Sequence, residues 1–173
     1  LKALSALPKF TGDCIGLTGG TGGQSVSMSD VFAKTGLKVP MLTQESYGRL
    51  EEFFRAIGAS YLNPVDMGGM NRSMMESIVD ILATDANIDV LVMQLSPREF
   101  QRDAERAEGQ ISAMKSAAHK TGKPVAAILF SPDPYGDGAI LKQLDVRLQG
   151  DGIPSYPTYE RAAGAIKKVS DYY

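Results

Sequence analysis

The stretch Thr18-Gly19-Gly20-Thr21-Gly22-Gly23-Gln24-Ser25 constrains this chain more than any other. Ahead of it, Cys14-Ile15-Gly16-Leu17 reads as a buried strand. Behind it, Val26–Thr35 places Met28, Val31 and Phe32 at helical spacing. A strand that feeds through glycines into a helix leaves the first backbone N–H groups unpaired and directed at the loop. The helix dipole adds roughly half a unit of positive charge there. Gly22, Gly23, Gln24 and Ser25 are therefore candidate phosphate-binding residues. Glycine suits such a turn because it removes a Cβ that would crowd an anion and because it accepts positive φ. The stretch is not a Walker motif, since no Gly-Lys-Ser/Thr follows, and its spacing departs from G-x-G-x-x-G. On the glycines alone, a plain strand-to-helix turn without a ligand stays equally open.

The rest of the chain continues the alternation. Gly36 is placed to close the first helix. Leu37–Met41 reads as a second strand near an edge, because Pro40 is poorly tolerated in a central strand. Thr43 is the expected N-cap of a helix with Tyr47, Leu50, Phe54 and Ile57 on one face, ended by Gly58. A loop over Ala59–Gly69 follows. Ser73 and Glu76 then form a capping-box pair for a helix that buries Met75, Ile78, Val79 and Leu82. Ile88–Leu95 is nearly continuous in apolar residues, as a parallel strand covered on both faces should be. A single long helix is expected from about Glu99 to Lys120, with Phe100, Ala104, Ala107, Ile111, Met114 and Ala118 inward. Gly122 and Pro124 end it and start the strand Val125–Phe130. One more helix, with Ile140, Leu141, Leu144 and Leu148 inward, leads to a short strand at Ile153–Tyr156 and a last helix capped by Thr158.

This pattern predicts an α/β fold, a flavodoxin-like three-layer sandwich with a five-stranded parallel sheet in the order 2-1-3-4-5. In such a sheet, ligands sit beyond the C-terminal strand ends, where the neighbours of the first strand diverge. Leu1–Leu7 reads as the end of a helix that Pro8 stops. Residues 1–12 are thus expected to be the end of a preceding helix or a linker, and 13–173 the domain.

Composition narrows the function classes. A net charge of −2 over 173 residues, with no basic block, gives no track for a nucleic-acid backbone. No apolar run approaches the ~20 residues of a membrane span. One cysteine excludes an internal disulfide and fits a reducing cytoplasm. That residue, Cys14, lies in the first strand and reads as inert and buried. His119 stands beside Lys120 near the end of the long helix, where its charge suits the helix C-terminus and a surface role. Asn63 and Asp66 belong to a loop expected to flank the glycine turn and are secondary site candidates. A lone carboxylate without a partner at ligand spacing does not make a metal site. Satisfying loop backbone donors is the plainer role for both. Arg72 and Arg98 are the nearest basic residues to the loops, and solvated charge is their expected role.

Several of these stretches, taken in order, resemble one family. Gly22-Gly23-Gln24-Ser25-Val26 ending at Asp30 is similar to the Gly-Gly-Pro-Gly-Val…Asp segment of NDP-forming acyl-CoA synthetases, the succinyl-CoA synthetase superfamily. Gly36-Leu37, Asn63-Pro64-Val65-Asp66 and Gly122-Lys123-Pro124-Val125 resemble further segments in the same order. So do Gly152-Ile153-Pro154-Ser155-Tyr156 and Thr158-Tyr159-Glu160-Arg161-Ala162. The resemblance runs from about Asp13 to Val169. Ser25 departs from it where the family usually has glycine, and Gln24 where it often has proline.

The resemblance implies the flavodoxin-like CoA-ligase domain of an enzyme that joins a carboxylate to CoA, consuming ATP and releasing ADP and phosphate. That enzyme works through an acyl phosphate and a phosphohistidine held between two helix N-termini, of which this glycine turn would be one. It implies no catalytic residue, metal or bound cofactor in this chain, while the parent enzyme uses CoA, ATP and Mg. The implied partners are the CoA-binding and ATP-binding domains of the same enzyme and a phosphate-like anion, with a homo-oligomer also open. The rival class is a non-catalytic flavodoxin-like interaction or regulatory module. A flavin-binding flavodoxin fits less well, since the chain has no tryptophan to flank a flavin.

Overall fold

Two strands with strict alternation set the layers. In β2 (Val90–Leu95) and β3 (Val125–Leu129) every residue is buried. Val90, Val92, Ala126 and Ile128 face one apolar layer, while Leu91, Met93, Leu95, Val125, Ala127 and Leu129 face the other. Successive strand side chains point to opposite faces, so a strand that is apolar throughout needs cover on both. The computed structural model describes residues 2–54, 60–68 and 70–173, and it supplies that cover. On one face lie α1 (Lys2–Ala6), α2 (Gly23–Lys34) and α8 (Tyr159–Ser170), packed through Met28, Phe32, Ala162 and Ile166. On the other lie α3 (Gln44–Glu51), α4 (Arg72–Thr84), α6 (Ala104–Thr121) and α7 (Gly138–Gly150), packed through Leu50, Ile78, Leu82, Ile111, Met114 and Leu148. Burying one such aliphatic side chain is worth about 1.5–3 kcal/mol, so the two layers carry the fold.

Among the described residues the parallel sheet has four strands in the order β1-β2-β3-β4, with β1 at Ile15–Thr18 and β4 at Ser155–Tyr156. Ile15 pairs with Val90, Leu91 with Val125 and Ala127 with Ser155. The expected fifth strand over Leu37–Met41, and with it the order 2-1-3-4-5, is not present among the described residues. Only Lys38 bridges to Cys14 there, and a second isolated bridge joins Val65 to Thr18. Pro40 has no N–H to give to a ladder. Between the two bridges the side chain of Asn63 takes over. Its Nδ2 donates to the carbonyls of Ile15 (2.8 Å) and Pro40 (2.9 Å), and its Oδ1 accepts the Leu17 N–H at 2.9 Å. One carboxamide thus satisfies backbone groups that a neighbouring strand would otherwise pair.

Local capping explains most boundaries and several corrections. Thr43 and Thr158 cap α3 and α8 through their side chains, as the sequence predicts. Gly36 (φ 88°) and Gly122 (φ 68°) take the left-handed conformation after α2 and α6. The cap of α4 is Asn71, which accepts the Met74 N–H at 2.9 Å, and not the Ser73/Glu76 box. Glu76 instead pairs with Arg72 on its own helix. The single long helix is two, α5 (Pro97–Arg102) and α6, because Asp103 leaves helical angles (φ −147°, ψ 82°) and caps Arg106 N. Tyr47, Leu50 and Phe54 are buried as expected. Leu1, Ile57, Gly58, Ala59 and Gly69 lie outside the described residues. Residues 2–7 pack onto the domain, with Ala3 and Leu7 buried beside α8 and Lys2 donating to the Ser155 carbonyl at 2.9 Å.

Asn63→Ala tests the carboxamide at the sheet edge. It strands one N–H and two carbonyls, and an unsatisfied buried group costs about 1–3 kcal/mol. Urea unfolding should therefore show a loss of about 2–4 kcal/mol with an unchanged m-value. A loss below about 0.5 kcal/mol would mean that water serves these groups equally well.

Candidate phosphate-binding site

The glycine turn is built by close packing at the C-terminal end of β1. Thr18 is fully buried, and its hydroxyl donates to the Val65 carbonyl at 2.8 Å. Gly19 has φ 93°, and a Cβ there would lie 2.1 Å from the Gln94 carbonyl oxygen, so only glycine lets the chain turn so tightly against β2. Gly22 (φ 38°) is the N-cap and offers no side chain. Helix α2 begins at Gly23, ahead of the helical pattern read from Val26 onward. Gly23, Gln24 and Ser25 are therefore its first turn, where amides lack intrahelical partners.

Asp66 occupies much of this helix end. Its side chain comes from the loop that runs along β1, and the residue is 4% exposed. Oδ1 accepts the Ser25 hydroxyl at 2.5 Å. Oδ2 accepts the N–H groups of Gly22 (3.3 Å) and Ser60 (3.2 Å). The negative charge sits where the helix dipole favours it. The Gln24 N–H donates to the Thr21 carbonyl at 2.8 Å. Among the described residues no acceptor stands against the amides of Gly23 and Ser25. Of the four candidate phosphate-binding positions, Gly22 and Gln24 thus have their amides engaged within the protein. The turn opens onto a groove of about 590 Å³ lined by Gly22, Ser25, Ser60, Pro64, Asp66 and the outer side of α2.

A buried polar chain orients the side chain of Gln24. Tyr159 donates its phenol proton to Gln94 Oε1 at 2.7 Å, and Gln94 Nε2 donates to Gln24 Oε1 at 3.2 Å. Burial, aided by the Glu160 charge, pushes the Tyr159 phenol up, so it stays an O–H donor. With its oxygen receiving Gln94, the Gln24 carboxamide has its Nε2 left as a donor turned away from that contact. Gln94 and Tyr159 were missed by sequence reasoning. The one signal was a glutamine inside the apolar run Val90-Leu91-Val92-Met93-Gln94-Leu95.

The other candidates fall elsewhere. Asn63 is a backbone-satisfying residue at the sheet edge, and Asp66 alone of the secondary pair reaches the turn. Arg72 pairs with Glu76 and Glu105, and Arg98 with Asp137. His119 is exposed on the last turn of α6. At the opposite end of β1, Asp13, Cys14 and Asp89 bring ligand-type atoms within 4.8 Å of one another. Burial and then the two carboxylates push the Cys14 thiol up, which opposes thiolate formation. Among the described residues no helix is long and apolar enough to cross a membrane.

Tyr159→Phe isolates the polar chain from the packing. The ring stacks on Phe130 at 5.6 Å and 6°, and that stack survives the change. Removing the hydroxyl frees Gln94 Oε1, so the side-chain amide signals of Gln94 and Gln24 should both shift in NMR spectra. A shift confined to Gln94 would show that the chain does not reach the turn.

Comparison with known proteins identifies relatives. No protein-family model matches the chain. Over 180 aligned residues it is 32% identical to the acetate–CoA ligase (ADP-forming) I subunit alpha of Pyrococcus furiosus, an alignment covering 97% of this chain and 34% of that one. It is 24% identical over 153 residues to acetate–CoA ligase (ADP-forming) I of Archaeoglobus fulgidus, covering 88% of this chain and 20% of that one. The chain therefore spans about a third or less of the length of these curated relatives. The crystal structure of PH0766 from Pyrococcus horikoshii OT3 superposes with a TM-score of 0.79 at 26% identity, over 98% of this chain and 38% of that one. The apo dinucleotide-forming acetyl-coenzyme A synthetase 1 of Ca. Korarchaeum cryptofilum superposes with a TM-score of 0.75 at 23% identity, over 99% and 36%, which shows a shared fold. The chain is homologous to a segment of ADP-forming acetate–CoA ligase subunits.

Proposed function

We propose that residues 13–173 are the flavodoxin-like CoA-ligase domain of an NDP-forming acyl-CoA synthetase, and that the N-terminus of α2 holds the phosphoryl group in transit. The observation that carries this reading is the first turn of α2. It stands at the C-terminal end of β1 beside a groove that Gly22 and Ser25 line, and among the described residues no acceptor stands against the amides of Gly23 and Ser25. The homology to ligase subunits supplies the reaction class. In this reading the parent enzyme converts carboxylate, CoA and ATP to acyl-CoA, ADP and phosphate, through an acyl phosphate and a phosphohistidine supplied by another part of the protein. Gly22, Gly23, Gln24 and Ser25 line the phosphoryl position. Preorganised N–H donors aimed at developing negative charge are the usual source of stabilisation in such transfers. CoA, ATP and Mg belong to partner domains of the same cytoplasmic enzyme.

Two experiments test the assignment. The 173-residue chain, incubated with ATP, CoA and a panel of carboxylates, should form no thioester, and turnover by the chain alone would overturn the domain assignment. In the full-length enzyme, Gly23 is the sharp position, because among the described residues a Cβ there meets nothing within 4 Å and its φ is not positive. Gly23→Ala should therefore fold and react normally. Gly23→Asp should also fold, since an acidic residue near a helix N-terminus is tolerated. Its charge would repel the phosphoryl group, however, and phosphoenzyme formation should fall about 100-fold, which corresponds to about 2.7 kcal/mol. If the aspartate variant keeps full phosphorylation and ligase rates, the turn is only a turn.

A further inference from the structure

We infer that the groove between α1 and α8 is a binding site for a carboxylate with an apolar body, and that the Tyr156 hydroxyl donates to it. The groove has a volume of about 420 Å³ and shares no lining residue with the groove beside the glycine turn, so this inference is independent of the phosphate reading. The observation that points to a ligand is the phenol. Tyr156 lines the groove and is 7% exposed, and its hydroxyl meets no hydrogen-bond partner among the described residues. Tyr159, three residues on in the same apolar layer, shows the ordinary outcome, since its hydroxyl donates to Gln94. A buried tyrosine hydroxyl normally finds a partner, and an exception calls for an explanation.

The rest of the groove fixes what that partner can be. Burial pushes the Tyr156 phenol up to about 12, so near neutral pH it is an O–H donor and calls for an acceptor. Arg161 and Lys168 stand exposed on the α8 wall, and neither forms an ion pair among the described residues. Glu160 is the one acid lining the groove, so the balance favours an anion. Lys2 is already committed to Asp145 and the Ser155 carbonyl. Its Nζ lies 6.0 Å from the centre of the Tyr156 ring and fixes the ring in place. Between these charges the walls are small or apolar, with Ala3 and Leu4 on α1 and Gly164 and Ala165 on α8. A Cβ at Gly164 would meet nothing within 4 Å among the described residues, so this part of the wall is open. An anionic acceptor joined to an apolar body is a short fatty acid or an aromatic acid. A few placed polar groups over apolar walls are the usual make-up of a small-molecule site. Helix α1 is only five residues long, and the ligand reaches the phenol by moving that turn aside.

Benzoate and hexanoate, titrated into the 173-residue chain at constant ionic strength, test the site through the backbone amide shifts of Leu4, Gly164 and Lys168. Both acids should give saturable shifts. Benzamide, which keeps the shape of benzoate without its charge, should bind about tenfold more weakly. Tyr156→Phe should weaken benzoate binding about tenfold, in the range of one hydrogen bond to a charged group. The same change should leave the urea midpoint of the free chain unchanged or higher, because it removes a hydroxyl that has no partner there. No saturable shift with either acid overturns the site, and so does benzamide binding as tightly as benzoate. A phenylalanine variant that binds benzoate unchanged, or that unfolds at lower urea, gives the hydroxyl a structural role only and also overturns the inference. None of these outcomes bears on the glycine turn, which the Gly23 variants test separately.

Discussion

The outer edge of β1 is the constraint on which the rest of the site depends. The strand covers only Ile15–Thr18, and β2 pairs with one side of it. The polar groups of Ile15 and Leu17 point to the other side, where no continuous strand follows among the described residues. The Lys38 backbone, the Val65 backbone and the Asn63 carboxamide meet them one after another. The loop that performs this service is the loop that carries Asp66. Holding β1 in place and setting a carboxylate on the end of α2 are therefore one structural act, separated by only a few residues of chain.

A second tie reaches the turn from behind. The Tyr159–Gln94–Gln24 chain connects the start of α8, the middle of the sheet and the first turn of α2. Each hydrogen bond is modest by itself, about 1 kcal/mol, but a buried glutamine left half-satisfied would cost more than that. The chain thus settles which way Gln24 presents its carboxamide. Gly19 adds the steric counterpart, since its lack of a side chain lets the turn lie directly on the Gln94 carbonyl.

Much of this architecture was legible in the residues. The strand–glycine–helix unit, the threonine caps and the glycines after helices are local features, encoded within a few positions of where they act. The failures have two physical sources. Asp103 and Asn71 are caps whose side chains compete with the backbone only in a particular conformation, so a periodic apolar stripe runs across Asp103 unbroken. The missing strand and the position of Asp66 are long-range outcomes. Asn63 replaces a ladder 46 residues away from Leu17, and Asp66 meets Ser25 across 41 residues. No periodicity records such a meeting. The loop was expected near the turn, but its carboxylate was not expected to sit on the donors assigned to an anion.

The two margins of the sheet share a property that bears on association between molecules. A long exposed strand with free N–H and C=O groups is a template on which another chain can add, and proteins avoid presenting one. Here one margin is β4, only two residues long. The other is β1, whose outward groups are already taken by a side chain and two isolated crossings. Neither margin offers a run of unpaired backbone long enough to recruit a stranger, so this sheet can be rich in apolar β-formers without inviting fibril-type growth.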